Sequence, residues 1–127
     1  MRAPGWARRR RSVGAFGRSD LALIRTTYYA ERSMSDARFL VLVSLSDGPR
    51  HGYSIQHDIE AFAGARLGAG TLYGAINTLE RDQLIEPLPT TERRRPYRLT
   101  SAGRHHLRQQ LEMLDRIRAR TAAVKLA

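Results

Sequence analysis

Cysteine is absent from this chain. Its absence excludes a disulfide framework, a cysteine-ligated zinc and a thiol nucleophile, and accords with a reducing compartment. Lysine is nearly absent as well: of 22 basic residues only Lys125 is not an arginine, and Trp6 is the single tryptophan. No apolar run reaches the roughly 18 residues that a membrane-spanning helix needs. Four arginines, Arg8 to Arg11, precede the short apolar stretch Val13–Phe16, but Arg18 and Asp20 break it too early for an export signal. No membrane partner is expected, and the expected location is the cytoplasm.

The residue patterns that chemistry requires are also missing. His51 and His57 lie six positions apart and do not share a helical face, and the neighbours His105 and His106 diverge, so no metal site is expected. The stretch GAGTLYG (residues 68–74) has the wrong glycine spacing for a nucleotide loop, and no strand precedes it. With neither a nucleophile elbow nor paired carboxylates, the chain reads as a non-enzyme with no cofactor.

What the chain does have is positive charge, a formal +10 over 127 residues. That balance points to a polyanion, nucleic acid ahead of an anionic membrane. The charge is uneven: residues 1–33 carry eight arginines against Asp20 and Glu31, whereas residues 34–127 carry 14 basic side chains against 10 acidic ones. The length suits one domain.

Residues 1–20, rich in Arg, Gly and Ser without periodicity, read as disordered. Asp20 offers a cap to a short helical stretch, LALIRTTYYAERS, weakened by Ile24, Thr26 and Thr27. The segment 1–33 is either a basic arm or upstream sequence joined by a start assigned too early, since Met34 directly precedes Ser35, a good N-cap. A winged domain is expected over 34–103 and a C-terminal dimerisation helix over 104–127.

Within the winged domain, Ala37, Leu40, Val41, Ser44 and Leu45 fall at helical spacing, widened by Phe39, Leu42 and Val43 into a helix expected to be nearly all buried. Asp47-Gly48-Pro49 ends it. Tyr53, Ile55, Ile59 and Phe62 mark a second helix ended by Gly64. Thr71 is placed to cap a third, LYGAINTLERDQL, with Leu72, Ile76 and Leu79 inward and Tyr73, Asn77, Glu80 and Arg81 outward. Leu84–Leu88 and Tyr97–Leu99 read as the strands of a hairpin, with arginines at its tip. The fold class is therefore mainly α: three helices plus a two-stranded β-hairpin wing, a winged helix-turn-helix built to set one helix in a DNA major groove. Leu107, Leu111, Leu114, Ile117, Thr121 and Val124 follow at spacings of three and four, a narrow seam that packs one helix along another. A partner subunit is its natural destination.

In this frame the expected contacts to double-stranded DNA are Thr71, Tyr73 and Asn77 on the third helix and Arg93, Arg94, Arg95 and Arg98 on the wing. A hydroxyl or backbone N–H at a helix start holds phosphate, Asn reads adenine in bidentate fashion, and guanidinium forks match phosphate oxygens. The plainer alternative makes Tyr73 a packing residue, Asn77 merely exposed and the arginines a solvated loop.

Gly48-Pro49-Arg50-His51-Gly52-Tyr53, Gly70-Thr71-Leu72-Tyr73, Leu84-Ile85 and Tyr97-Arg98-Leu99-Thr100-Ser101-Ala102-Gly103 appear in this order. Together they make the span Phe39–Leu107 resemble the PadR family of bacterial transcriptional regulators. The resemblance implies a homodimeric regulator, usually a repressor, that binds operator DNA and is bacterial and nucleoid-associated when bound. It implies that the C-terminal helix (Leu107, Leu111, Leu114, Ile117, Val124) forms the dimer contact, and it adds Tyr53 to the expected DNA contacts. A small-molecule effector of unspecified identity belongs among the implied partners. The chain departs from the family pattern at Gly74, where proline is common, and at Asn77-Thr78, where a basic pair is common. It departs again at Pro96, which predicts that the second strand begins late. The tryptophan that some relatives carry in the C-terminal helix is missing, so a drug-sandwiching pocket is not expected. Two other functions remain open at this stage: a winged-helix protein–protein module without sequence-specific DNA binding, and non-specific polyanion binding through residues 1–33.

Overall fold

Apolar side chains spaced by helical turns make the first element: in the computed structural model, which describes residues 36–126, residues 36–44 are helix α1. The expectations for residues 1–33 and the Ser35 cap lie outside the described residues. Ala37, Val41, Leu42 and Leu45 are buried, whereas Phe39, Leu40 and Val43 are partly covered. The helix is thus embedded on one side and not all round. Arg50 fastens its end. The guanidinium donates to the Ser44 carbonyl (3.1 Å) and to both Asp47 carboxylate oxygens (3.2 and 3.0 Å), and lies 3.7 Å from the Asp58 carboxylate. One side chain thereby satisfies a last-turn carbonyl of α1 and ties it to the following helix.

Strand β1 is only Arg50–His51, and helix α2, Gly52–Ala63, starts directly after it. His51 caps α2, its Nδ1 accepting the Ser54 N–H at 3.2 Å. Gly64 ends it in the left-handed conformation (φ 64°), with its N–H on the Glu60 carbonyl. Ile55 and Ile59 are buried as the periodicity predicts, but Tyr53 and Phe62 are exposed. Tyr53 stands two positions before Ile55 and therefore across the helix from it, and Phe62 sits in the last turn.

Helix α3 is Ala69–Arg81. Thr71 does not cap it. The helix begins three residues earlier than expected, behind Gly68, with the Leu72 N–H on the Gly68 carbonyl at 2.9 Å and no side-chain cap. Leu72, Ala75, Ile76 and Leu79 are its buried residues. At the other end Gln83 adopts φ 61°. There the Gln83 N–H bonds the Glu80 carbonyl and the Leu84 N–H bonds the Leu79 carbonyl, a pattern that satisfies the orphaned carbonyls and turns the chain into the wing.

The wing is the expected two-stranded hairpin, and a third strand joins its sheet. β2 (Ile85–Pro87) and β3 (Pro96–Leu99) pair antiparallel with Ile85 opposite Leu99 and Pro87 opposite Tyr97. β1 pairs with the other side of β3, Arg50 opposite Tyr97 and His51 opposite Pro96, giving the order β1-β3-β2. Pro96 does not delay β3 but opens it. A proline at a strand's first residue keeps its carbonyl available, and this one accepts the Leu88 N–H at 2.9 Å. Along β3 the pleat alternates, with Leu99 buried, Tyr97 packed on the core and Arg98 exposed.

Thr100 joins the wing to helix α4, Ser101–Thr121. Its N–H bonds the Leu84 carbonyl (3.1 Å), its hydroxyl donates to the Gln83 carbonyl (2.7 Å), and the same oxygen accepts the Gly103 N–H (3.0 Å) as the N-cap. Gly103 lies so close to the wing that a Cβ would overlap the Leu84 carbonyl oxygen. Leu107 is the last core residue of α4, only 6% exposed. It completes the chain's own core and so leaves the seam expected of it. Leu111, Leu114 and Ile117 are 43%, 47% and 51% exposed, respectively, and Val124 lies beyond the helix end.

Candidate nucleic-acid interface

The start of α2, the outer side of α3 and the wing tip meet on one face. Between them lies a depression of about 220 Å³ lined by His51, Gly52, Tyr53, Tyr73, Tyr97 and the three tip arginines. Gly52 permits the closest approach: a Cβ there would come within 2.9 Å of the Tyr73 hydroxyl and 3.0 Å of its ring. The Tyr73 ring thus rests on the first residue of α2 while 51% of the residue stays exposed. Tyr53 and Tyr73 also line a second hollow, of about 450 Å³, between α2 and α3, together with Gln56, His57, Glu60 and Arg66. The two tyrosines form the ridge between the hollows. One turn beyond Tyr73 on α3, Asn77 is exposed.

At the tip, the Glu92 N–H donates to the Thr90 hydroxyl (3.0 Å) and bends the chain. Arg93, Arg94 and Arg95 are all exposed. Among the described residues Arg93 and Arg95 make no ion pair. The Arg94 guanidinium carbon sits 5.0 Å above the centre of the Tyr53 ring. Burial pushes the Tyr97 phenol above its ordinary pKa; Glu80 and Tyr73 add to the rise, and Arg95 opposes it. Tyr97 therefore keeps its proton at any working pH and remains a donor. Guanidinium forks, phenolic hydroxyls and the first N–H groups of α2 together make this a surface rich in donors, the chemistry that receives phosphate oxygens.

The structure brings Tyr53, Tyr73, Arg93, Arg94 and Arg95 together and places Asn77 beside them on α3. It does not bring in Thr71, half-buried in the first turn of α3, or Arg98. The Arg98 Nε donates to Glu86 Oε1 across the β2–β3 pair at 2.6 Å, and the pleat turns it to the opposite side from Tyr97. Sequence reasoning missed Gly52, His57, Arg66 and Tyr97. Tyr97 was within reach, since its alternation with Arg98 puts it on the side of Leu99. Nothing in the local sequence showed that Gly52 would lie beneath Tyr73.

Residues 41–109 match the family described as "Transcriptional regulator PadR-like family". The chain belongs to this family. A curated relative, an uncharacterized 37.1 kDa protein in transposon TN4556 of Streptomyces fradiae, is 48% identical over 86 residues. That alignment covers 68% of this PadR-like chain but 25% of the relative, so the chain spans about a quarter of the relative's length. Among solved structures, a transcriptional regulator from Clostridium thermocellum aligns with a TM-score of 0.61 at 27% identity, covering 70% of this chain and 90% of that one. Bacillus subtilis PadR, solved in complex with operator DNA, aligns with a TM-score of 0.52 at 21% identity, covering 58% of this chain and 45% of that one, a likeness of fold. The winged helix-turn-helix architecture is common to the family and to this chain.

Proposed function

We propose that this chain is a homodimeric, sequence-specific DNA-binding regulator that acts as a repressor, setting α3 in the major groove and the wing tip on the flanking backbone. The observation that carries the reading is the convergence of Tyr73, on the exposed side of α3, with the exposed arginines of the tip. The operator complex of Bacillus subtilis PadR supports it by fold. Dimerisation is supported by α4, whose apolar side beyond Leu107 stays exposed, and by a groove of about 500 Å³ between α1 and α4 lined by Phe39, Met113 and Leu114. The same groove has the size and apolar lining for a small-molecule effector. Among the described residues no helix is long and apolar enough to cross a membrane.

The direct test is titration of duplex DNA from upstream of the chain's own gene across a range of salt. Arg93 and Arg95 act on phosphates in this reading. Replacing each by Ala is expected to weaken all sequences by a similar factor and to reduce the slope of log affinity against log salt by about 0.9 per residue. A loss confined to one operator with the slope untouched would contradict it. No shift with any duplex would leave association through α4 as the remaining function.

Tyr73 and Asn77 supply the sequence-reading part. Tyr73→Ala should cost operator affinity while leaving the melting temperature nearly unchanged, because half of the residue is already in solvent. Asn77→Ala should relax discrimination at one or two base pairs by about 1–3 kcal/mol, the worth of a bidentate contact to adenine. Melting and operator titration of the same two variants decide the matter. Unfolding of the Tyr73 variant, or unaltered discrimination by the Asn77 variant, would remove that residue from the role.

A further inference from the structure

The three tip arginines are adjacent in sequence but differ in surroundings. Arg93 and Arg95 have no ionic partner among the described residues. The Arg94 guanidinium lies over the face of Tyr53 at 5.0 Å, inside the range where the ring quadrupole attracts a cation. Tyr53 is steadied in turn by His57 one turn along α2, whose ring meets it edge-on at 4.5 Å. The wing tip is otherwise a polar connection between β2 and β3, and this stack joins its crown to the start of α2.

The geometry points to Arg94 as a positioning residue: it latches the wing tip onto Tyr53 so that Arg93 and Arg95 stand ready for phosphate, and it makes no phosphate contact of its own. The assignment rests on the DNA-binding reading above and deepens it. A guanidinium engaged by a ring face is set in orientation, and the neighbours on either side of it in the chain are set with it. Pre-ordering of this kind lowers the entropy lost when the tip meets the backbone. Arg94 then contributes to affinity without contributing to counterion release.

The test uses the full chain and a duplex carrying its operator, with Arg94→Ala, Tyr53→Leu, Tyr53→Phe and the double variant Arg94→Ala/Tyr53→Leu titrated across salt. Arg94→Ala is expected to weaken binding about two- to fivefold, the worth of an exposed cation–π contact, with the salt slope of the unaltered chain. Tyr53→Phe keeps the ring and should keep the latch. In the Tyr53→Leu background, Arg94→Ala should have no further effect. In the DNA-free protein, the side-chain NMR signals of Arg94 should be shifted upfield by the Tyr53 ring current, retained in Tyr53→Phe and lost in Tyr53→Leu. The assignment is overturned if Arg94→Ala lowers the slope as Arg93→Ala does, if its effect persists without the Tyr53 ring, or if no ring-current shift is seen. Should the unaltered chain bind no duplex, the functional reading fails and the assignment with it. A slope loss in a chain that does bind removes the assignment alone.

Discussion

Gly103→Ala is expected to lower the melting temperature of the winged domain by roughly 12–24 °C, taking about 3 kcal/mol of stability at 4–8 °C per kcal/mol. Helix propensity alone forecasts the opposite sign, since Ala in a helix interior is better than Gly by up to about 1 kcal/mol. The close approach to Leu84 decides the outcome. The obstacle is a backbone carbonyl, which already accepts the Thr100 N–H, and it cannot swing aside as a side chain would. Gly74→Ala is the matched control. That residue is also inside a helix, but nothing lies within 4 Å of a Cβ there, so the change should be stabilising by about 0.5–1 kcal/mol. Equal melting temperatures for the Gly103 variant and the unaltered chain would refute the packing described for the wing base.

Leu111→Asp combined with Leu114→Asp is expected to convert dimers to monomers and to weaken operator binding roughly a hundredfold or more, through loss of the second linked half-site. Both side chains are nearly half exposed in the protomer, so the domain itself should melt as before. Each leucine covered at a dimer contact contributes about 1.5–3 kcal/mol, and two charges in their place forfeit that and add a desolvation cost. Sedimentation at micromolar concentration reads the outcome. An unaltered chain that sediments as a monomer would dismiss the dimer. Leu107 is a poor probe of the same question, because its loss would open the protomer's own core.

Helical elements were the most legible part of this chain. Ile55 and Ile59, and likewise Leu72, Ile76 and Leu79, repeat at turn spacing over helices long enough for periodicity to show, and all are buried. Shorter features were harder to read. β1 is two residues long and has no period at all; it exists because β3 has a free edge at Tyr97 and Pro96. Capping chemistry points to Thr71 for the start of α3, whereas the helix starts behind Gly68 with no side-chain cap, a start that residue type does not signal. Among the candidate contacts, Tyr73 and the tip arginines could be named from residue type and position. The pairing of Arg98 with Glu86 could not, because it depends on strand register across 12 residues of separation. Leu107 shows the same limit from another side. The seam in α4 has one continuous spacing, and only the fold decides where the protomer's core stops along it.

Strand β3 has a neighbour on each side, so its register is pinned twice, by β1 at Tyr97 and Pro96 and by β2 at Leu99, Arg98 and Tyr97. The Leu88 N–H on the Pro96 carbonyl then closes the ladder. Everything between those two residues hangs outside the doubly fixed frame. The crown of the wing is for this reason an exchangeable cartridge. So long as the Arg94–Tyr53 stack is kept, its length and charge can be rewritten, in evolution or by design, without shifting either strand, so reach along the flanking DNA varies independently of the helix that reads the groove.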